Sequence, residues 1–284
     1  MDISSVIAQL VNRKKAIHKG ECGRLAVIAG SSTMEGAGVL VARSAFRTGA
    51  GLVYLCSSIN LETVLKTVPE VMCLPVRFSA DLIVDCVTKF QEKQINVLAI
   101  GPGCGQSKIF VDFFRKMLQD PWLYSIPMVI DADGLNALTL KELTFLPKNS
   151  CILTPHVGEF KRLFPSLSNI ISNEDSDRVQ VTKKAALLSG QVVVLKGPNT
   201  VVASTQEVYV NTTGNEAMAT AGIGDVLTGV IASFLGQGLS LFQAASAGVY
   251  VHGCAADRLR KRLSIGLMAS DLVEELPHVL VDYE

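Results

Sequence analysis

The sequence predicts an α/β fold: a mainly parallel central sheet with helices on both faces. Three observations carry it. Hydrophobic residues make up 49% of the chain and charged residues only 18%, which suits a large buried core. The strand candidates are buried-type apolar runs: RLAVIA, NVLAI, PMVI and QVVVLK. Several run straight into a Gly- or Pro-bearing turn and then a helix, the order that builds a parallel sheet. At 284 residues two domains are allowed, but no linker divides the chain, so one domain over 1–284 is expected.

The elements follow in order. Residues 3–12 place Ile3, Val6, Ile7 and Leu10 on one helical face. Arg24 to Ala29 is a buried-type strand that enters GSSTMEGAG, and a helix follows from about Val39 to Thr48. This turn lacks both GxGxxG and Gly-Lys-Ser/Thr, so spacing alone marks it only weakly as a phosphate loop. Gly51 to Cys56 is the next strand, 61–67 a short helix, 71–76 a strand and 80–92 a helix. Asn96 to Ile100 ends in GPGCG, and 107–118 is helical. Turns at the carboxyl ends of strands line the ligand crevice of open α/β sheets. Pro127 to Ile130 leads into DADGLNAL. Asp131 and Asp133 there could meet Mg²⁺ through phosphates or water, cap the next helix, or brace the turn, with a supporting role favoured.

Cys151 to Leu153 enters TPHVGEF, where Thr154 is a candidate N-cap with Pro155 at the first helical position. His156 then sits in the first turn, where a helix N-terminus favours neutral imidazole. A polar loop is expected over 165–176, a helix from Asp177 to Leu188 and a strand over Gln191 to Lys196. Lys196, at the end of an apolar strand, needs an anion: a phosphate, or a structural carboxylate such as Glu159. Residues 201–204 and 207–210 form a hairpin, 241–262 a long helix in which His252 reads as structural, and 268–276 a last helix.

Bulk properties exclude several classes. With 26 basic and 26 acidic residues, nothing points to nucleic acid. The cluster Arg258, Arg260, Lys261 and Arg262 reads as complementing a helix C-terminus. Seven cysteines without a CxxC pair argue against a disulfide framework or zinc site. The start, MDISSVIAQLVNRKK, has no apolar signal core, and no apolar run reaches membrane-spanning length. A cytoplasmic protein with no membrane partner is expected, although a removed transit peptide remains open.

The stretch that organises the chain is VNTTGNEAMATAGIGDVLTGVIASFL, Val210 to Leu235. It passes from strand to helix through Thr220, Ala221, Gly222, Ile223, Gly224 and Asp225. Small residues permit close backbone approach, and the free amides of the following helix make an anion site. A carboxylate beside such a site has two explanations: a base that deprotonates an attacking hydroxyl, or a simple complement to the helix dipole.

This small-G-x-G-D pattern before an apolar helix resembles the anion hole of the ribokinase-like superfamily. Together, GSSTMEGAG, GPGCG, DADGLNAL, TPHVGE, LKGPNT and TGNEAMATAGIGDVLTG resemble the ADP/ATP-dependent NAD(P)H-hydrate dehydratases, from about Gly23 to Leu276. The resemblance implies a ribokinase-like domain acting as a hydro-lyase that repairs hydrated NADH or NADPH. Asp225 would be the catalytic base, with Ala37, Gly103, His156 and Asp225 touching the substrate. Lys196, Gly197, Pro198, Asn199, Thr200 and Gly224 would bind the nucleotide, and Ala221, Gly222, Ile223 and Gly224 would form the anion hole. Mg²⁺ and ADP or ATP are implied, with no direct protein ligand to the metal. A homotetramer is implied too, as is a functional link to a separate epimerase. Asp225 needs no raised pKa on this scheme. Glu216-Ala217 and Ile223 depart from the family pattern, and Ile223 lacks a hydroxyl usual there. A small-molecule kinase of the same fold, or a nucleotide-binding regulator, are the alternatives.

Overall fold

In the computed structural model, which describes all residues except 14–15, 58–60, 77 and 172–174, the apolar runs become neighbours in one sheet. Its strands are β1 (Arg24–Ile28), β2 (Leu52–Cys56), β3 (Met72–Cys73), β4 (Val97–Ile100), β5 (Met128–Ile130), β6 (Cys151–Leu153), β7 (Val192–Leu195), β8 (Val201–Ala203) and β9 (Val208–Val210). Among the described residues their order is β3-β2-β1-β4-β5-β6-β7-β8-β9. Pairing is parallel from β3 to β7 and antiparallel from β7 through β9. The order reverses between β1 and β4, and at such a point the following turns diverge and leave a crevice.

Alternate residues of β1 enter two separate apolar layers. Leu25 and Val27, with Ala29 just past the strand, join the Ile3–Val11, Glu35–Arg47, Ile223–Gly236, Leu241–Leu263 and Ala269–Val281 helices. Ala26 and Ile28 join the Ile83–Glu92, Lys108–Met117, Val157–Leu163 and Asp175–Ser189 helices. Helices therefore cover both faces, which is why both sides of each central strand are apolar. In the first layer the Ile223–Gly236 and Glu35–Arg47 helices touch through Gly229. A β-carbon there would stand 2.0 Å from Ser44 Oγ and 2.3 Å from the Val41 carbonyl oxygen. No side chain fits that gap.

Several boundaries differ from the sequence expectation. The 71–76 strand shrinks to β3, because Pro75 has no N–H to continue the ladder. The helix expected from Val39 begins at Glu35, since Gly38 lets it rest on the end of β1, 3.1 Å from the Ala29 carbonyl oxygen for a β-carbon. Tertiary contact here outweighs the poor helix propensity of EGAG. The 165–176 loop contains a short 3₁₀ turn at Pro165–Leu167, its residues 172–174 lie outside the described residues, and the next helix already starts at Asp175. Lys14 and Lys15 of the N-terminal stretch are likewise outside. The last helix extends to Val281 and accommodates Pro277. All seven cysteines are free thiols. No helix among the described residues is long and apolar enough to cross a membrane.

The basic cluster sits where the sequence expects it, with Arg260, Lys261 and Arg262 in the last turn of the Leu241–Leu263 helix, and its arginines also form ion pairs. Arg258 pairs with Asp282 and Glu275, Arg260 with Glu216 and Arg262 with Glu275. These ion pairs tie the Leu241–Leu263 helix to the last helix and to the segment before Ile223.

Candidate active site

The site starts at the switch point. The turns after β1 and β4 are joined where the Gly30 N–H donates to the Pro102 carbonyl at 2.8 Å. Ala37 lies in the first turn of the Glu35–Arg47 helix. A β-carbon on Gly103 would stand 2.7 Å from Ala37 Cβ, so these two predicted substrate contacts are direct neighbours.

β5 delivers two carboxylates with separate duties. Asp131 is 1% exposed. It accepts from Lys196 Nζ at 2.7 Å and from Thr228 Oγ1 at 2.8 Å. Asp133 accepts from the Gly105 N–H at 2.8 Å and from Gln106 Nε2 at 3.3 Å, bracing the GPGCG turn. Asp131 makes no side-chain cap for the Ala132–Asn136 helix. The structural carboxylate that meets Lys196 is thus Asp131 rather than Glu159. Burial alone would lower the Lys196 pKa, but Asp131, Glu159 and Asp225 together raise it, and the ammonium stays charged.

His156 occupies a different capping position from the one its sequence suggests. The helix begins at Val157, and His156 rather than Thr154 is the N-cap. Its Nδ1 accepts from the Gly158 N–H at 2.9 Å and the Glu159 N–H at 3.3 Å. Glu159 returns the favour by accepting from the His156 N–H at 2.8 Å. Sheet pairing persists too long for Thr154 to cap: its N–H donates to the Ile130 carbonyl, and the Pro155 carbonyl accepts from the Lys196 N–H. With Nδ1 an acceptor, the proton of the neutral ring lies on Nε2.

Gly222, at φ +85°, turns the chain into the Ile223–Gly236 helix. The Val226 N–H donates to the Gly222 carbonyl. The amides before it have no helical acceptor, as at any helix start. Asp225 stands in this first turn and accepts no hydrogen bond among the described residues. Burial and then the charge of Asp131 push its pKa up; Lys196 pulls it down and Asp133 pushes it up again, leaving it at about 7. The sequence scheme required no such rise. Ile223 is 7% exposed, its side chain packed into the core and its carbonyl 3.0 Å from His252 Nε2. The missing hydroxyl is replaced by a packed apolar side chain.

Beside this helix start opens a cavity of about 710 Å³. All six predicted nucleotide residues, Lys196, Gly197, Pro198, Asn199, Thr200 and Gly224, line it, as does His156. Of the predicted anion hole, Ile223 and Gly224 line it. Ala221 is exposed, and Gly222 is half-buried, with Leu40 and Ala269 where a β-carbon would stand. Ala37, Gly103 and Asp225 lie outside its wall. The structure therefore forms two neighbourhoods, one around the cavity and one at the switch point, linked through Asp131 to Lys196 and through Asp133 to Gly105. Sequence reasoning missed the wall formed by Asn211 to Asn215, Met218, Val249, His252 and Gly253. The TGN of the long motif and the small-residue run around His252 were its only signals. Among the described residues, no three His, Cys, Asp or Glu side chains gather as a metal ligand set.

Comparison with known proteins follows this geometry. The family model described as NAD(P)H-hydrate dehydratase matches residues 25–278. A bifunctional NAD(P)H-hydrate repair enzyme of Moorella thermoacetica is 38% identical over 285 residues, covering 98% of this chain and 53% of that protein. The chain thus spans about half the length of that relative. An ADP-dependent (S)-NAD(P)H-hydrate dehydratase of Neisseria meningitidis serogroup B is 38% identical over 270 residues, covering 92% of this chain and 86% of that one. A Bacillus subtilis ADP/ATP-dependent NAD(P)H-hydrate dehydratase, co-crystallised with ATP and Mg²⁺, superposes with a TM-score of 0.84 at 31% identity, covering 100% of this chain and 98% of that one.

Proposed function

The chain belongs to the NAD(P)H-hydrate dehydratase family, and on that premise we propose that it uses ADP or ATP to dehydrate the S form of hydrated NADH or NADPH. The fold is ribokinase-like, and residues 1–284 act as one domain, a reading supported by the continuous sheet from β1 to β9. The observation that carries the activity is Asp225. It is a carboxylate that accepts no hydrogen bond among the described residues, its pKa pushed up to about 7 by burial and then by Asp131, at a helix start that opens on a cavity.

The chemistry needs a hydroxyl turned into a leaving group. Asp225 takes the proton of the ring hydroxyl, whose oxygen forms a bond to the terminal phosphorus of the nucleotide. The bridging P–O bond breaks, and AMP or ADP departs. Loss of a neighbouring ring proton and of phosphate then restores the double bond of the reduced nicotinamide. The amides of 221–224 stabilise charge on the transferring group. Lys196 to Thr200 and Gly224 hold the nucleotide, while Ala37, Gly103 and His156 hold the hydrate. A titration near neutrality suits a general base working at neutral pH.

Mg²⁺ takes phosphate and water oxygens as its main ligands. That suits a site in which the buried carboxylate behind Lys196, Asp131, is already committed to Lys196 and Thr228. When bound, the ion offsets phosphate charge. We further propose a cytoplasmic homotetramer served by a separate epimerase.

The test is recovery of the reduced-nicotinamide absorbance from hydrated NADH and Mg²⁺, with ADP and ATP in parallel. Nucleotide-dependent recovery is expected. Its absence in protein that binds AMP would favour a small-molecule kinase or a regulator of the same fold.

A further inference from the structure

We infer that His252 is a positioning residue, holding the Ile223 carbonyl so that the amide of Gly224 keeps a fixed aim into the cavity. The inference rests on the proposed role of that amide and extends it to a residue on another helix. His252 lies 29 positions away on the Leu241–Leu263 helix, and is 5% exposed. Its Nε2 stands 3.0 Å from the Ile223 carbonyl oxygen. A carbonyl only accepts, so Nε2 carries the proton.

The Ile223 carbonyl and the Gly224 N–H belong to one planar peptide unit and point in opposite directions. Anchoring the oxygen therefore anchors the amide. The need is local: Gly224 has no β-carbon to restrict its backbone, and it lines the cavity. Burial, the largest influence, pushes the His252 pKa down to about 4, with Lys196 adding to it and the bond to Ile223 opposing. The ring stays neutral at working pH. The same helix holds the other end of the segment, where Asp257 accepts from the Gly214 N–H at 2.9 Å and Asn215 Nδ2 at 2.8 Å.

The experiment compares His252→Gln, His252→Asn and His252→Leu in the full chain. Glutamine can return an N–H to the carbonyl; asparagine is one methylene shorter; leucine fills space without a donor. Binding of AMP and ADP is measured by calorimetry, and hydrate turnover separately. The terminal phosphoryl of ADP, absent from AMP, is what meets the amides. Expected in the Leu and Asn variants is a loss of ADP affinity about tenfold greater than any loss of AMP affinity, and kcat down by roughly 30-fold, as for small misplacements of a catalytic group. Glutamine should recover most of each loss. Equal losses for AMP and ADP, or a Gln variant no better than Asn, would overturn the inference, and this pair serves if leucine prevents folding. If the unaltered protein turns over no hydrate but the ADP-selective pattern holds, the proposed function fails and the positioning role stands.

Discussion

The carboxyl end of β5 and the amino end of the Ile223–Gly236 helix each bring an aspartate to the same place and treat it oppositely. Asp131 is buried with two partners, the Lys196 ammonium and the Thr228 hydroxyl. Asp225 is less covered, accepts nothing among the described residues, and is pushed to about 7. A satisfied carboxylate is fixed in charge and place, and works as structure. One left without donors beside a like charge exchanges its proton readily near neutral pH, and works as a base. On the proposed mechanism, the reactive member of the pair is the one that lacks partners among the described residues.

The contrast can be broken most sharply at Asp225. Asp225→Ala should lower turnover by about 10³-fold or more, at the upper end for a general base, with AMP binding retained. Undiminished turnover would sink the mechanism. In the unaltered protein kcat/KM should climb about tenfold per pH unit as the base ionises, and level off above about 7. A rate falling over that range would mean that the protonated acid is the working form.

Next in size is Asp131→Asn. It strands the Lys196 ammonium and should cost about 3 kcal/mol by denaturant unfolding, as when one partner of a buried pair is removed. It also removes a charge that raises the Asp225 pKa while Lys196 continues to lower it. The midpoint of the pH–rate profile should therefore move to the acid side. A midpoint that stays or rises would show that Asp131 does not set the state of Asp225. The smallest effect is expected from Thr228→Val, which removes one of two donors to Asp131. About 1 kcal/mol of stability should go, with turnover nearly unchanged. A loss of turnover comparable to Asp225→Ala would erase the distinction between the two aspartates.

The strands were legible because a strand buried on both faces has to be apolar throughout, as Val192 to Leu195 is. Boundaries were less so, where contacts outside the segment decide them: Glu35–Gly38 becomes helix because it lies on β1, and Thr154 stays extended because it still pairs with Ile130. Lys196 to Thr200 is one contiguous motif in the sequence, and all five residues line the cavity. The Asp131–Lys196–Thr228 triangle joins residues 65 and 97 positions apart, and no local pattern records it. The partner of His252 is a backbone carbonyl, and a backbone leaves no mark in side-chain spelling.

Gly229 has a consequence for what the site can accept. The helix bearing Ala37 and the helix bearing Asp225 meet there with only the Ser44 hydroxyl and the Val41 carbonyl against the bare Gly229 backbone. The spacing between the proposed substrate turn and the proposed base is therefore set by a close-packed helix contact, which yields far less than loops do. On the proposed function, a hydrate would have to match a fixed gauge, and adjustment to bound ligand would fall on the turns across the cavity.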